Sequence, residues 1–149
     1  MRRPSKDDYY LGIALSVSKR SNCLKRHYGV VIVKDDVIVA TGYNGSPRGY
    51  ENCCDSGICN RMEIPHNSGN YSDCPSVHAE QNALIQCSQE NLKDATMYIS
   101  GEEELDYFKM REIKDASPCP ICSRMIANSG IKAIVNRFGR SETKCLQLR

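Results

Sequence analysis

Two short motifs in this sequence carry side chains that bind metal ions. Residues 78–80 read His-Ala-Glu, and residues 118–122 read Pro-Cys-Pro-Ile-Cys. Cys119 and Cys122 are three residues apart, which places both sulfur atoms on one side of a helical turn. One imidazole and two thiolates supply three zinc ligands, the number found in catalytic sites that leave the fourth position to water. The spacing therefore predicts a zinc ion held by His78, Cys119 and Cys122.

Glu80 indicates what such an ion would do. It follows His78 by two residues, near enough to face the open coordination position without being a ligand. Zinc lowers the pKa of a bound water towards neutrality, and a neighbouring carboxylate can take the proton and pass it on. A lone histidine is commonly a core residue, and an isolated Cys-x-x-Cys can be redox-active or structural. The combination with Glu80 favours a catalytic site.

Both motifs fall where helices are predicted to begin. One helix is predicted over 77–89 with Ser76 as its N-cap, and another after Ser117 and Pro118, a capping hydroxyl followed by a proline. Gly130 marks the end of the second helix. Its buried face is predicted to comprise Ile121, Met125 and Ile126. Because helix N-termini carry partial positive charge, both thiols of the second motif should ionise readily.

The rest of the chain alternates helices with strands. Apolar spacing predicts a first helix over 6–19 with Ser5 as its N-cap. β-branched runs predict four strands, the first two joined by a hairpin turn at 34–36. The strands cover 28–33, 37–43, 95–100 and 131–136. This order favours one sheet with helices packed on its faces. With no linker or repeat, residues 1–149 are predicted to form a single domain.

Residues 44–77 show no periodicity and are rich in Gly, Asn, Ser, Pro and Cys. A loop of this length must offset a large ordering entropy. Five of the nine cysteines flank it or lie inside it, together with His66. These cysteines are Cys23, Cys53, Cys54, Cys59 and Cys74. A metal ion bound by some of them would order the segment, whereas free buried thiols acting as small hydrophobic groups are the alternative.

Composition excludes several classes of protein. A net charge of +2 provides no basic stripe for long nucleic acid, and no apolar run approaches the roughly 20 residues that span a membrane. The N-terminal residues lack the apolar stretch of a secretory signal, so a cytoplasmic protein is expected. The odd number of cysteines and the reducing cytosol favour metal binding over disulfides.

The motifs resemble those of the deoxycytidylate (dCMP) deaminase family, in the cytidine deaminase-like zinc-dependent superfamily. The resemblance covers about 7–135 and includes Ser-Gly-Ile-Lys at 129–132. More selective is Thr-Gly-Tyr-Asn-Gly-Ser-Pro-Arg-Gly at 41–49. The resemblance implies a three-layer α/β/α fold, a mixed sheet with helices on both faces. It also implies a hydrolase of pyrimidine deoxynucleotide metabolism that converts dCMP, a small nucleotide, to dUMP and ammonia.

The resemblance assigns roles to particular residues. The histidine and the two cysteines of the motifs would hold the catalytic zinc. Glu80 would carry a proton from water to the ring N3 and then to the departing amine. The backbone of Ala79 and Ser117 would lie against the pyrimidine edge, and Asn44 would contact the sugar.

Some members of this family also contain a second, structural zinc. Cys23 and Cys53 match two of its ligands by position. The others would come from Cys59, His66 and Cys74, of which Cys59 and Cys74 are favoured. Family members are generally homo-oligomers, often hexamers, so an oligomer is expected here.

Two segments depart from the family pattern. Residues 102–115 form a charged insertion, expected near the pocket mouth, with a helical turn around Leu105, Phe108 and Ile113. After the last predicted strand, Asn136 and Arg137 stand where the family often has an aromatic residue. Both departures lie in regions that could contact substrate or a neighbouring subunit.

Three other hypotheses are open at this point. The same zinc chemistry could act on a free nucleoside, a tRNA adenosine or a pyrimidine intermediate of riboflavin synthesis. The chain could be a non-enzymatic zinc-ordered binding module, which would need a fourth protein ligand facing Glu80. It could also be a regulatory subunit of a larger assembly.

Overall fold

Six strands form one sheet in this computed structural model, which describes residues 2–106 and 109–149. They are β1 (Arg26–Lys34), β2 (Val37–Tyr43), β3 (Thr96–Leu105), β4 (Lys109–Glu112), β5 (Ala133–Asn136) and β6 (Gly139–Glu142). The order across the sheet is β2-β1-β3-β5-β6, and β4 pairs with the second half of β3. β3 and β5 run parallel, whereas the other pairs are antiparallel. The predicted mixed sheet is therefore confirmed.

Five α-helices in the described part of the chain accompany the sheet. They are α1 (Lys6–Ser18), α2 (Cys53–Ser56), α3 (Ala79–Ile85), α4 (Gln89–Leu92) and α5 (Pro120–Ser129). Successive residues of a strand point to opposite faces. Val31 and Val33 of β1 accordingly pack with α1, whereas Val30 and Ile32 belong to the core formed with α3, α4 and α5. Helices on both faces confirm the predicted three-layer α/β/α fold.

Two glycines let helices lie directly on the sheet. A Cβ atom on Gly29 would overlap the carbonyl oxygen of Ala14 in α1. A Cβ atom on Gly42 would overlap the carbonyl oxygen of Ala79 and lie 2.5 Å from the backbone nitrogen of Ala83. Backbone therefore contacts backbone at both places. The Gly42 contact fixes where α3 begins relative to β2.

The first helix and the first hairpin confirm the sequence prediction. Ser5 caps α1 by accepting a hydrogen bond from the Asp8 backbone N–H at 3.1 Å. Asp35 and Asp36 have φ values of 48° and 64°, the positive values that a tight β-hairpin turn requires. Local sequence chemistry decides both features, because the residues involved are close neighbours in the chain.

The predicted helix over 77–89 is wrong in its extent and its cap. Val77 pairs with Gly45 through two backbone hydrogen bonds of 2.8 and 3.1 Å, so helical backbone cannot begin before His78. His78, not Ser76, is the N-cap. The helix ends at Ile85, and Ser88 caps the separate helix α4 by accepting from Asn91 N–H at 3.2 Å.

The start and the buried face of α5 also differ from the prediction. The Ser117 hydroxyl donates to the carbonyl of Asp115 at 3.0 Å, so Cys119 is the N-cap and Pro120 the first helical residue. Of the predicted face only Ile126 is fully buried, whereas Ile121 and Met125 are 42% and 38% exposed. The buried stripe is Cys122, Ser123, Ile126 and Ser129. These residues lie on the side of α5 on which Cys122 faces the core.

The described strands of the insertion at 102–115 form a β-hairpin extension, and Leu105, which was predicted to lie in a helical turn, is the last residue of β3. β3 continues to Leu105, five residues beyond the predicted end of the strand, and β4 returns along it. Ile113 is buried and donates its N–H to the Gly101 carbonyl at 2.7 Å. Phe108 lies outside the described residues.

The last strand of the sheet and the aperiodic segment also differ from expectation. β5 begins at Ala133 rather than 131, and β6 was not predicted. The segment 44–77 contains α2 and a 3₁₀ helix at Tyr71–Asp73, and its ends are joined by the Gly45 and Val77 bridge. Among the described residues, no helix is long and apolar enough to cross a membrane.

Candidate metal centre and catalytic cavity

The three predicted zinc ligands lie together where α3 and α5 begin. The Nδ1 atom of His78 is 3.5 Å from the Cys119 sulfur and 3.2 Å from the Cys122 sulfur. Tetrahedral ligands at the usual zinc bond lengths are separated by about 3.5 Å. Among residues 2–106 and 109–149, this is the single group of three or more donor atoms within 4.8 Å of one another. The donors therefore fit a zinc ion with three protein ligands.

Helix caps hold these ligands in place. His78 is the N-cap of α3, and its backbone N–H donates to the side-chain oxygen of Gln81 at 2.8 Å. Cys119 is the N-cap of α5, and its sulfur accepts from the Cys122 N–H at 3.5 Å. Cys119 is 7% exposed and Cys122 fully buried. Both sulfurs thus lie at a positively polarised helix end inside the core.

The ligands share protons when no metal neutralises them. A hydrogen bond from the Cys122 side chain is the largest cause that lowers the pKa of Cys119 to about 4. The same hydrogen bond, followed by burial, raises the pKa of Cys122. A hydrogen bond to Cys119 raises the pKa of His78. Because zinc binds thiolates and neutral imidazole, metal uptake at this site would release protons.

Glu80 lies in the first turn of α3 and lines the same cavity as His78 and Cys119. Its side chain is buried, with 7% of the residue exposed. Burial raises the pKa of this carboxyl above its ordinary value, because the charged form loses hydration. The raised pKa makes it easier for this carboxyl to take up a proton, which a proton carrier must do.

The three predicted substrate contacts line the cavity too, which has a volume of about 120 Å³. Ala79 directly follows His78 in the chain, and Ser117 precedes Cys119 by two residues. The Asn44 amide oxygen accepts from the Tyr28 N–H at 2.8 Å, and its nitrogen donates to the Arg26 carbonyl at 3.0 Å. A primary amide has two donor hydrogens and two acceptor lone pairs. Asn44 is therefore anchored to β1 and keeps hydrogen-bonding capacity for a ligand.

The cysteines predicted to bind a second metal face a neighbouring cavity of about 220 Å³. Its walls include Cys23, Cys53, Cys59 and Cys74. Three of the four, all but Cys53, also line the catalytic cavity, so the two cavities share a wall. Their sulfurs do not form a group within 4.8 Å of one another in the described part of the chain. The structure brings the four together but not to the separation of metal ligands.

Sequence analysis missed the part of the aperiodic segment that covers the cavity. Arg61 is 7% exposed, and its guanidinium donates to the Asn70 carbonyl and to the Ser68 hydroxyl at 2.5 and 3.3 Å. The guanidinium also lies 4.5 Å from the centre of the Tyr71 ring. Tyr71 in turn meets His78 edge-on, with ring centres 5.6 Å apart. The available signal was an irregular segment directly before a metal motif, where functional residues are often found.

Comparison with known proteins identifies relatives of the whole domain. Residues 4–137 match the family model described as the cytidine and deoxycytidylate deaminase zinc-binding region. The chain is 38% identical over 138 residues to the deoxycytidylate deaminase of Mycobacterium phage D29, covering 91% of this chain and 96% of that protein. It is also 38% identical to the Schizosaccharomyces pombe deoxycytidylate deaminase, covering 89% of this chain but 37% of that longer protein.

A solved structure agrees with these relatives. The dCMP deaminase of cyanophage S-TIM5, crystallised with dCMP and dUMP, is 30% identical to this chain with a TM-score of 0.63. The superposition covers 91% of this chain and 82% of that one. The family resemblance drawn from the two metal motifs is thereby confirmed. This chain belongs to the cytidine and deoxycytidylate deaminase zinc-binding family.

Proposed function

We propose that this protein is a zinc-dependent hydrolase that converts dCMP and water to dUMP and ammonia. One observation carries the proposal: His78, Cys119 and Cys122 meet at zinc-ligand separations beside the buried carboxyl of Glu80. A binding module ordered by zinc would need a fourth protein ligand. The donor group in the described residues contains three. The deaminase names of the relatives favour the same activity.

The residues divide the chemistry between them. A zinc ion held by the three ligands would supply the Lewis acid that makes the attacking water more acidic. Glu80 takes both protons of that water in turn, giving one to ring N3 and the other to the exocyclic amine. The water oxygen remains on C4 as the carbonyl of the product, and the bond between C4 and the amine breaks. Atoms balance, because dCMP and water yield dUMP and ammonia.

Substrate contacts are proposed from the walls of the cavity. The backbone of Ala79 and Ser117 would bind the pyrimidine edge, since both residues line the cavity next to the metal ligands. Asn44 would bind the sugar through the hydrogen-bonding positions that β1 leaves free. The side chain is nearly buried, so its orientation is fixed before a ligand arrives.

We also propose a second, structural zinc bound by Cys23, Cys53, Cys59 and Cys74. All four line one cavity, and the Cys23 sulfur accepts from the Lys25 N–H at 3.4 Å, a contact that would stabilise a thiolate. Binding would draw the sulfurs closer together and offset the ordering entropy of the segment 44–77.

We propose in addition that the chain assembles into a homo-oligomer. A homo-oligomer, such as a hexamer, agrees with apolar side chains exposed on α3 and α5, among them Ile85 at 72% and Ile121 at 42%. Light scattering coupled to size exclusion would measure the number of subunits. The cytoplasmic location stays a prediction.

The activity is tested with purified protein and a panel of dCMP, CMP, deoxycytidine and cytidine. We expect ammonia from dCMP in the wild type. Glu80→Gln should retain zinc and lose about 10²- to 10⁴-fold in kcat, the range for removing a general acid–base group. Cys87→Ser, outside both cavities, is the matched control. No ammonia from any substrate would refute the proposal, and near-normal turnover of the glutamine variant would remove Glu80 from its role.

A further inference from the structure

The two segments that depart from the family pattern lie against each other. The Arg137 guanidinium donates to the Glu112 carboxylate at 2.6 Å, at the end of β4, and one of its nitrogens lies 3.6 Å from the Asp8 carboxylate in α1. The Asn136 side-chain amide donates to the Ala116 carbonyl at 3.0 Å. The end of β5 and the turn after it therefore hold the stretch of chain that leads from the insertion into the second metal motif.

The bond from Asn136 meets a need of the buried backbone. Ala116 is 2% exposed and belongs to the same apolar core as Cys119 and Cys122. A buried carbonyl without a hydrogen-bond partner loses its hydration and gains nothing in return. The Asn136 amide supplies that partner, three residues before the metal ligand Cys119. The contact therefore lies at the approach to the catalytic centre.

A bond to the Ala116 carbonyl also orients Ser117. The carbonyl of Ala116 and the N–H of Ser117 belong to one planar peptide group, so fixing the direction of the first fixes that of the second. Ser117 lines the catalytic cavity together with Glu80 and Cys119. Its hydroxyl donates to the Asp115 carbonyl at 3.0 Å, whereas its N–H has no backbone acceptor in the described part of the chain. The Ser117 backbone is therefore available to a ligand, in an orientation that Asn136 sets.

Asn136 is itself held in the orientation that this bond requires. Its side-chain oxygen accepts from the Phe138 N–H at 2.9 Å, so the amide nitrogen is directed away from Phe138 and towards Ala116. Asn136 is the last residue of β5, whose Ile134 and Val135 are buried and which pairs with β3. A strand end packed into the core is a rigid support. The Asn136 amide is therefore in place before a ligand arrives.

We infer that Asn136 is a positioning residue, which orients the peptide group between Ala116 and Ser117 so that the Ser117 backbone binds the pyrimidine edge of the substrate. The inference rests on the proposed function, in which Ser117 contacts the base. Asn136 is not part of the cavity lining, so it acts through Ser117. The two neighbours in the turn have different tasks: Asn136 acts on the site, whereas Arg137 fastens the insertion to α1 and to the end of β5.

The test uses zinc-loaded protein and two ligands, one with the base and one without it. Asn136→Asp keeps the oxygen that accepts from Phe138 but loses the N–H groups that bond to Ala116. We expect kcat/KM for dCMP to fall about 10-fold and the Kd for dUMP to rise by a similar factor, because a buried carbonyl loses its partner. The Kd for deoxyribose 5′-phosphate, which lacks the base, should stay within about twofold. The zinc content should not change.

Arg137→Met is the matched control, because it loosens the same turn without removing the bond to Ala116. It should lower the midpoint of thermal unfolding and leave the Kd values of both ligands within about twofold. An equal rise in the Kd for dUMP in both variants would overturn the inference, since general loosening would then explain it. Equal weakening of dUMP and deoxyribose 5′-phosphate in Asn136→Asp would overturn it as well.

A measurement on the wild type keeps the test decisive if the Asn136 variant does not fold. In the NMR spectrum of isotope-labelled, zinc-loaded protein, the signals of the Ser117 N–H and of the Asn136 side-chain amide should both shift when dUMP is added. Deoxyribose 5′-phosphate should leave both signals in place. Unchanged signals at saturating dUMP would overturn the inference. Absence of ammonia from every substrate of the panel in the wild type would instead overturn the proposed function.

Discussion

The molecule contains two clusters of potential zinc ligands, and they are built differently. The catalytic cluster places His78, Cys119 and Cys122 at helix caps packed on the sheet, with both sulfurs buried. The loop cluster has Cys23, Cys59 and Cys74 on irregular backbone and Cys53 at the start of the single-turn helix α2, and all four are half-buried. The donor atoms of the catalytic cluster lie at the separations of zinc ligands, whereas among the described residues the sulfurs of the loop cluster do not. Regular elements can preorganise a metal site, and a loop depends on the metal to complete it.

The largest effect should follow from Cys119→Ala. This variant removes one of three ligands at the preorganised site, so we expect loss of the catalytic zinc and no detectable ammonia release. The fold should persist, because Cys119 lies at a helix cap and the sheet core remains intact. Zinc analysis and circular dichroism check both parts, with Cys87→Ala as the matched control. An unchanged zinc content would contradict the assignment of this cluster as the catalytic zinc site.

Gly42→Ala tests whether backbone packing is what preorganises the first cluster. The added Cβ would overlap the carbonyl of Ala79, so α3 must move away from β2 and carry His78 with it. We expect a loss of about 1–3 kcal/mol in the free energy of unfolding, typical of overpacking, and weaker zinc binding. Denaturation and competition with a chelator measure the two effects. Gly12→Ala, where nothing lies within 4 Å of the new Cβ, is the control.

Cys74→Ser should affect the loop cluster and spare the catalytic one. We expect the second zinc to be lost and the segment 44–77 to be cut faster by protease, while the catalytic zinc remains. Activity should fall less than in Cys119→Ala, because Cys74 lies in the wall that separates the two cavities and is not a ligand of the catalytic zinc. Cys54→Ser is the control, since Cys54 is exposed and lines neither of the two cavities. Identical zinc content and protease sensitivity in both variants would show that the loop thiols are free.

The smallest effect should come from a site remote from both clusters. Burial, and then the hydrogen bond to Asp36 at 2.8 Å, raises the pKa of Tyr10 to about 12. The protonated phenol is favoured in the folded state, so its contribution to stability is complete below pH 10 and is lost as pH rises through 12. Tyr10→Phe should flatten the decline in stability over that interval. Zinc content should not change, and a variant with the wild-type alkaline decline would contradict this role for Tyr10.

Sequence patterns predicted best the features decided by near neighbours. The Ser5 cap, the 35–36 turn and the Gly130 end of α5 all follow from local preferences, and each is present. The errors arise where distant residues compete for the same backbone groups. Val77 bonds to Gly45 and is therefore withheld from α3, although its own sequence context favours a helix.

The substrate end of the cavity was the least predictable part of the site. In the sequence Lys25 and Arg26 are isolated basic residues, and such residues are usually solvated. In the structure both residues line the catalytic cavity, and the Tyr28 hydroxyl contacts Arg26 and His66, which are 40 positions apart in the chain. No local pattern predicts these contacts, because they form only when the segment 44–77 folds over β1.

The sequence by itself determined the chemistry of the metal centre, because ligand types and the spacing of Cys119 and Cys122 along one helical turn are local properties. Tertiary structure alone decided that His78, 41 residues before Cys119, meets them at ligand distance. It also decided which cysteines share a cavity and which charged residues line the catalytic cavity. The reason is physical: packing against the sheet brings separate helix ends together, and the burial that results fixes the orientation and proton affinity of each group.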